Sequence, residues 1–190
     1  MQALEIVNAS PLGLDADLKN AFSAGFETFI AYMKAWSTVN GTGRLNLNWT
    51  ANSAWDPILD MPVQCWRYAD TLKYIYLNDN NLRVLPQNIA IMHQLKELHL
   101  ERNGVCCLPY VMCQMTNLQV LNLTDNSDMH DPPYEIVVEM KLRGIMKYLR
   151  AMHMAPMLKS LVLQDFEVRL CFGYAWFVFC LILQWNVFTV

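Results

Sequence analysis

Between Leu72 and Val138 the chain repeats itself every 23 residues, and few folds can accommodate that constraint. Leu72, Leu95 and Leu118 recur in register, as do Ile75, Leu98 and Leu121, and Leu77, Leu100 and Leu123. Asn80, Asn103 and Asn126 follow the same step, and so do Pro86, Pro109 and Pro132. Apolar residues at alternate positions point to one face of a short strand, whereas a helix wants spacings of three and four. One such strand cannot bury that face alone. The copies must therefore stack side by side into a parallel sheet over a shared core. The asparagine after each strand stands where the chain turns inward. Its amide is suited to pairing with backbone groups of neighbouring turns that would otherwise be buried unsatisfied.

The segments LKYIYLNDNNLRVLP, LKELHLERNGVCCLP and LQVLNLTDNSDMHDPP fit the pattern L-x-x-L-x-L-x-x-N-x-L, so the chain resembles the leucine-rich repeat family. That resemblance implies an α/β fold: a solenoid with short parallel strands on its concave face, helices and turns on its convex face, and two longer linking helices. A second, weaker repetition supports the linking helices. An offset of 116 residues maps Leu45/Leu47 onto Leu161/Leu163. It also maps Phe22, Phe26, Phe29, Met33 and Trp36 onto Val138, Leu142, Ile145, Leu149 and Met152. Both sets step by four, three, four, three, which is one stripe of an amphipathic helix about five turns long. Each helix leads through a linker, the first from Ser37 to Gly43, into a strand. Pro132-Pro133-Tyr134-Glu135-Ile136 followed by Tyr148-Leu149-Arg150 is similar to the PPxEI-like turn and YLR-like helix of plant intracellular Ras-group-related and Roco-type repeat regions.

The expected organisation is a partial repeat plus amphipathic helix over 1–44, leucine-rich repeats over 45–138, and a linking helix with the start of a further repeat over 139–169. An uncharged apolar tail over 170–190 completes it. The first repeat carries about seven extra residues, placed upstream of Met61 around Asn48 to Asp56. Trp49, Trp55 and Trp66 fall in or near this loop, where they serve either recognition or plugging of the convex side. The tail is long enough to cross a bilayer as a helix, which takes about 20 apolar residues. With Lys159 and Arg169 before it and no basic residue after it, a spanning tail would leave the repeats in the cytoplasm. A β-rich makeshift cap is one competing reading, and sequence read past a truncated repeat, with no selected role, is the other.

Charge is slight, 14 basic against 17 acidic residues, with no basic run; nucleic acid is an unsuitable partner on that balance. The six cysteines, Cys65, Cys106, Cys107, Cys113, Cys171 and Cys180, form neither a disulfide framework nor a paired C-x-x-C metal site. Free thiols in a reducing compartment are expected. Gly41-Thr42-Gly43-Arg44 lacks the phosphate-loop pattern, so the GTPase module of the Roco-type proteins is not expected here. His93, His99, His130 and His153 have no metal-like spacing, and no catalytic signature is present. Neither catalysis, nor a cofactor, nor a metal is expected.

What remains is the outward face of the strands: Arg44, Asn46 and Asn48; Tyr74, Tyr76 and Asn78; Glu97, His99 and Glu101; Val120, Asn122 and Thr124. Ser160, Val162 and Gln164 would continue it, with Asp79, Arg102 and Asp125 alongside. Tyr74 and Tyr76 beside Glu97, His99 and Glu101 combine aromatic area with negative charge, which suits a protein partner with a basic, partly apolar face. The candidate partner-binding set is Tyr74, Tyr76, Asn78, Glu97, His99, Glu101, Arg102, Val120, Asn122 and Thr124. Asn80, Asn103 and Asn126 form the structural ladder. His99 between two acids points to pH-sensitive binding. The expected function is a non-catalytic interaction module, cytoplasmic or tail-anchored with the repeats facing the cytosol. The alternative is part of a larger repeat-containing signalling enzyme.

Overall fold

The computed structural model describes residues 16–158, and within them the fold is α/β. Four three-residue strands, β1 (Arg44–Asn46), β2 (Tyr74–Tyr76), β3 (Glu97–His99) and β4 (Val120–Asn122), form one parallel sheet in the order β1-β2-β3-β4. The register is the sequence repeat itself: Ile75 lies beside Leu98 and Leu98 beside Leu121. Leu45 joins the same row beside Ile75 in spite of its longer connection. Backbone pairing runs on past the strands, with Leu77, Leu100 and Leu47 each donating an N–H one copy across at 2.9 Å.

Leu45, Ile75 and Leu98 are fully buried, and Leu72, Leu77, Leu95 and Leu100 fill the layer around them. The opposite wall is made by two short 3-10 helices, Gln87–Ile91 and Tyr110–Gln114, which contribute Ile89, Met92, Met112 and Met115. Pro86 and Pro109 precede these helices, where a residue lacking an N–H costs nothing and a fixed φ directs the turn.

The three asparagines do what their spacing predicts. Asn103 Nδ2 donates to the Leu77 carbonyl at 2.9 Å while its Oδ1 accepts the Leu82 N–H at 3.1 Å. Asn126 makes the same pair to Leu100 and Val105, and Asn80 to Leu47 and Ile58. Each is aimed inward by the residue before it, since Asp79, Arg102 and Asp125 all take a left-handed backbone at φ 60, 50 and 59°. The amide of Asn80 reaches back 33 residues to Leu47, where Asn103 and Asn126 reach back 26, whereas its carbonyl reaches 22 against 21. The extra chain thus lies between Leu47 and Ile58, where it was expected.

Before the sheet, the expected single helix is two: α1 (Ala16–Ser23) and α2 (Phe26–Ser37). Gly25, at φ 128°, takes a backbone conformation closed to other residues, and the helix breaks there. The predicted stripe fails at the break: Phe26 is 54% exposed, while Phe22 instead packs edge-on to Phe29 at 5.6 Å. Most of the expected linker is also helical, as α3 (Val39–Thr42), closed by Gly43 in the left-handed conformation. A Cβ on Gly43 would stand 2.8 Å from the Thr71 carbonyl oxygen, so glycine is required at this entry to β1. A short α4 (Gln64–Arg67) buries Cys65 under the first connection.

After β4 the chain passes through one wide π turn, Ile136–Met140, into α5 (Lys141–Leu158), which packs on the Tyr110–Gln114 helix. Ile145, Tyr148 and Leu149 are buried in that contact. Val138, assigned to the stripe from sequence, is 51% exposed, because the wider turn shifts it off the α-helical face. Tyr32 and Tyr148, which the 116-residue offset superposes, are both buried. Among the described residues no helix is long and apolar enough to cross a membrane. The expected start of a repeat at Leu4 and Ile6, the strand at Leu161 and Leu163, and the 170–190 tail lie outside the described residues.

Candidate functional site

The sheet has one face on the core and one face open, and the parallel register arranges the open face in three rows. Arg44, Tyr74, Glu97 and Val120 form the first row, and Asn46, Tyr76, His99 and Asn122 the second. Asn48, Asn78, Glu101 and Thr124 continue as the third, just past the strands, where the Trp49, Asp79 and Arg102 N–H groups keep the backbones paired.

In the first two rows the side chains hold one another. The Arg44 guanidinium stands over the Tyr74 ring at 4.7 Å and reaches toward Tyr76 at 5.9 Å. The Tyr76 ring stacks on His99 at 4.8 Å between centroids and 22° between planes. The Tyr76 hydroxyl donates to Glu97 Oε2 at 3.2 Å, and His99 Nε2 lies 3.3 Å from the same oxygen. Burial lifts the Tyr76 hydroxyl pKa above its ordinary value, and the Glu97 charge adds to that, so the phenol stays a donor. Tyr76, Glu97 and His99 are therefore one cluster, with Arg44 and Tyr74 as its cationic and aromatic border. Each exposed cation–π contact of this kind contributes about 0.5–1 kcal/mol. Several together fix side-chain rotamers before a partner arrives, which lowers the entropy lost on binding.

The third row is different. Asn48 Oδ1 accepts the Asn78 N–H at 2.8 Å, and Asn78 Oδ1 accepts the Glu101 N–H at 2.9 Å. Asn122 Nδ2 donates to Glu101 Oε1, while Asn122 Oδ1 takes both the N–H and hydroxyl of Thr124 at 3.1 and 2.8 Å. Asn78 and Asn122, proposed from sequence as partner contacts, thus join neighbouring copies, Asn78 through its side-chain oxygen and Asn122 through its amide nitrogen, while the Asn122 oxygen is taken up by Thr124 of its own copy. Sequence gave no warning, since an amide in an outward position reads the same whether it faces solvent or a neighbouring backbone. Val120, at the sheet's far side, is 38% exposed and takes no part in the cluster.

Beyond the third row, Arg102 grips the Asp79 carboxylate with Nε at 2.5 Å and Nη2 at 2.8 Å, and touches Glu101 at 3.4 Å. This fork holds the Asp79 carboxyl below the usual carboxylate range and the Arg102 guanidinium above its own ordinary value. The pair borders a shallow cleft of about 390 Å³ lined also by Trp49, Thr50, Ala51 and Asn81. The inserted loop therefore divides its tryptophans. Trp55 and Trp66 pack against the core, Trp55 edge-on to Tyr32 at 6.2 Å. Trp49 stands beside the cleft, held by its Nε1 donating to the Trp55 carbonyl at 3.0 Å. Asp79, named alongside the face, and Trp49, placed in the inserted loop, lay outside the candidate partner-binding set; the insertion next to the third row is the signal for Trp49. Set against known families and curated proteins, the chain matches no family model and no curated protein.

Proposed function

We propose that the chain is a leucine-rich repeat module, a solenoid that works as a non-catalytic scaffold or adaptor by holding a protein partner on the open, concave face of its sheet. The 23-residue register, the parallel sheet and the inward asparagines support the repeat assignment. The single observation that carries the functional reading is the cluster Tyr76–Glu97–His99 with Arg44 over Tyr74. It is a half-buried, prearranged patch of aromatic, anionic and cationic groups on an open face rather than in a cleft. Such a patch matches a partner segment that offers a basic side chain to Glu97 and apolar area to the two tyrosines. Fold alone would not select this function.

The test is crosslinking capture from cells with the full chain and with a Tyr74→Ala, Tyr76→Ala, Glu97→Ala variant whose fold is checked by circular dichroism. Partners crosslinked at the open face disappear from the variant if the assignment holds. Retention of every partner by the folded variant overturns it. The reading places the module in the cytoplasm. A second reading, repeats anchored by residues 170–190 and facing the cytosol, is favoured by the lack of any charged residue in that stretch. Alkaline extraction of the full chain beside a version ending at Arg169 separates the two: only an anchored chain stays with the membrane.

A further inference from the structure

Cys106 and Cys107 play no part in the open face, and their geometry is unusual for neighbours in an extended segment. Successive side chains in such a segment point to opposite sides. Here the two Sγ atoms are 3.7 Å apart, on the same side, and both residues are only partly buried. The backbone around them is firmly held. Cys107 bridges Val84 on one side and Asp131 on the other, and the Cys106 carbonyl accepts the N–H groups of His130 and Asp131 at 3.0 and 3.3 Å. The Cys106 thiol is oriented by the Arg83 carbonyl at 3.4 Å.

Three kinds of chemistry are open to two adjacent thiols, and magnitudes separate them. A direct disulfide would join residues whose Cα atoms are about 3.8 Å apart, below the roughly 4.4–6.8 Å that unstrained disulfides span. Strained disulfides have high potentials, so a glutathione pool keeps this pair reduced. A tetrahedral metal ion would take four ligands, and among the described residues no group of three or more His, Cys, Asp or Glu is placed to hold a metal. A centre that bonds two sulfurs and carries its own third substituent needs nothing more from the protein. The sulfurs already stand near the separation that one intervening atom about 2.3 Å from each would set.

We propose that Cys106 and Cys107 form a dithiol site for monosubstituted trivalent arsenic and soft electrophiles of that type. The reaction is a condensation: R–As=O and two thiols give R–As(S–Cys106)(S–Cys107) and one water. Two As–S bonds replace the As–O double bond, both S–H protons leave on the oxygen, and nothing is oxidised or reduced. Burial and the neighbouring thiol push the Cys107 pKa up to about 11, so this sulfur enters as the neutral thiol that the balanced equation requires. Cys65 and Cys113 are both buried, unlike this half-buried pair.

The test uses phenylarsine oxide on the full chain under reducing conditions, followed by intact mass, proteolysis and peptide mapping. The expected result is an adduct on the peptide holding Cys106 and Cys107, removed by a small dithiol and resistant to a monothiol. Cys106→Ser and Cys107→Ser each abolish it on that peptide. Amide exchange at His130 and Asp131 changes on binding, because their acceptor is the Cys106 carbonyl. Absence of the adduct on this peptide in the native chain overturns the proposal, as does its persistence in either serine variant. The mapping is done on the native chain, so a serine variant that fails to fold still leaves the proposal decidable.

Discussion

The ladder from Leu72 to Leu123 and the block before β2 solve the same problem, covering one edge of the same core, in opposite ways. In the ladder each buried asparagine is paired through both its amide and its carbonyl, and the leucines between Asn80 and Asn103 are buried. In the N-terminal block coverage comes from aromatic rings, with Tyr32 edge-on to Trp36 and Trp55, and Trp36 stacked on Tyr68 at 5.7 Å. The indole N–H groups of Trp36 and Trp55 are buried there with no hydrogen-bond partner among the described residues. Periodic coverage satisfies polar atoms by rule, because each turn supplies the partner the next one needs. Aromatic coverage gains area and accepts a local polar cost of about 1–3 kcal/mol per stranded group. The difference predicts where the protein tolerates change.

The largest effect is expected from Leu98→Ala in the middle of the ladder, a loss of about 2–5 kcal/mol in urea unfolding. Leu121→Ala should cost clearly less, since that side chain is only partly covered. Equal costs would mean that the ladder is as closed at β4 as at β3. Next comes Asn103→Ala, which leaves the Leu82 N–H without its acceptor and takes one of two amide donors from the Leu77 carbonyl, and should cost about 1–3 kcal/mol. A loss below about 1 kcal/mol would remove the polar half of the comparison. Gly43→Ala, at the seam between the two regions, meets both the positive φ and the Thr71 carbonyl. A loss of about 1–3 kcal/mol is expected, measured as a fall in melting temperature. Trp55→Phe in the aromatic block should change stability by less than about 1 kcal/mol, because relief of the stranded N–H offsets the loss of indole packing.

The smallest effect is Asp79→Asn. Its folded pKa lies below the unfolded value, so its contribution is present above about pH 4 and lost as the pH falls through the folded value. The pair is solvent-exposed and screened, so the variant should melt only slightly below the parent at neutral pH, and the two should converge as the pH falls through the folded value. A large difference at neutral pH, or one that persists in acid, would show that the fork with Arg102 does more than hold the cleft's border.

Most of the sheet was legible in sequence because its determinants are local and repeated: the L-x-L alternation set the strand faces, and the 23-residue step set the register. Even the loop insertion was placed correctly, since a mismatch between the two periods could only be absorbed between Leu47 and Ile58. The helical stripe from Phe22 to Trp36 was misread across Gly25, where one residue's backbone freedom outweighed an otherwise continuous apolar period. Val138 was lost to a single wide turn, which no periodicity records. On the open face, Tyr74, Tyr76, Glu97 and His99 were found by alternation alone. The engagement of Asn78 and Asn122 with neighbouring copies was not, because it depends on amide orientation across strands more than 20 residues apart in the chain. Arg44 was assigned to the face, but only the three-dimensional register puts it over Tyr74.

The inward asparagines carry one more consequence. The bonds they make between copies run to the preceding copy and no further, and for Asn103 and Asn126 at one fixed chain separation. Contacts of that kind have the same loop entropy whether four copies are present or fourteen, so cooperativity is handed from neighbour to neighbour rather than shared by the whole. Damage at one turn should therefore loosen the turns beside it first. A break near the middle would leave two short stacks of unequal strength, and the one without the aromatic block would be the first to come apart.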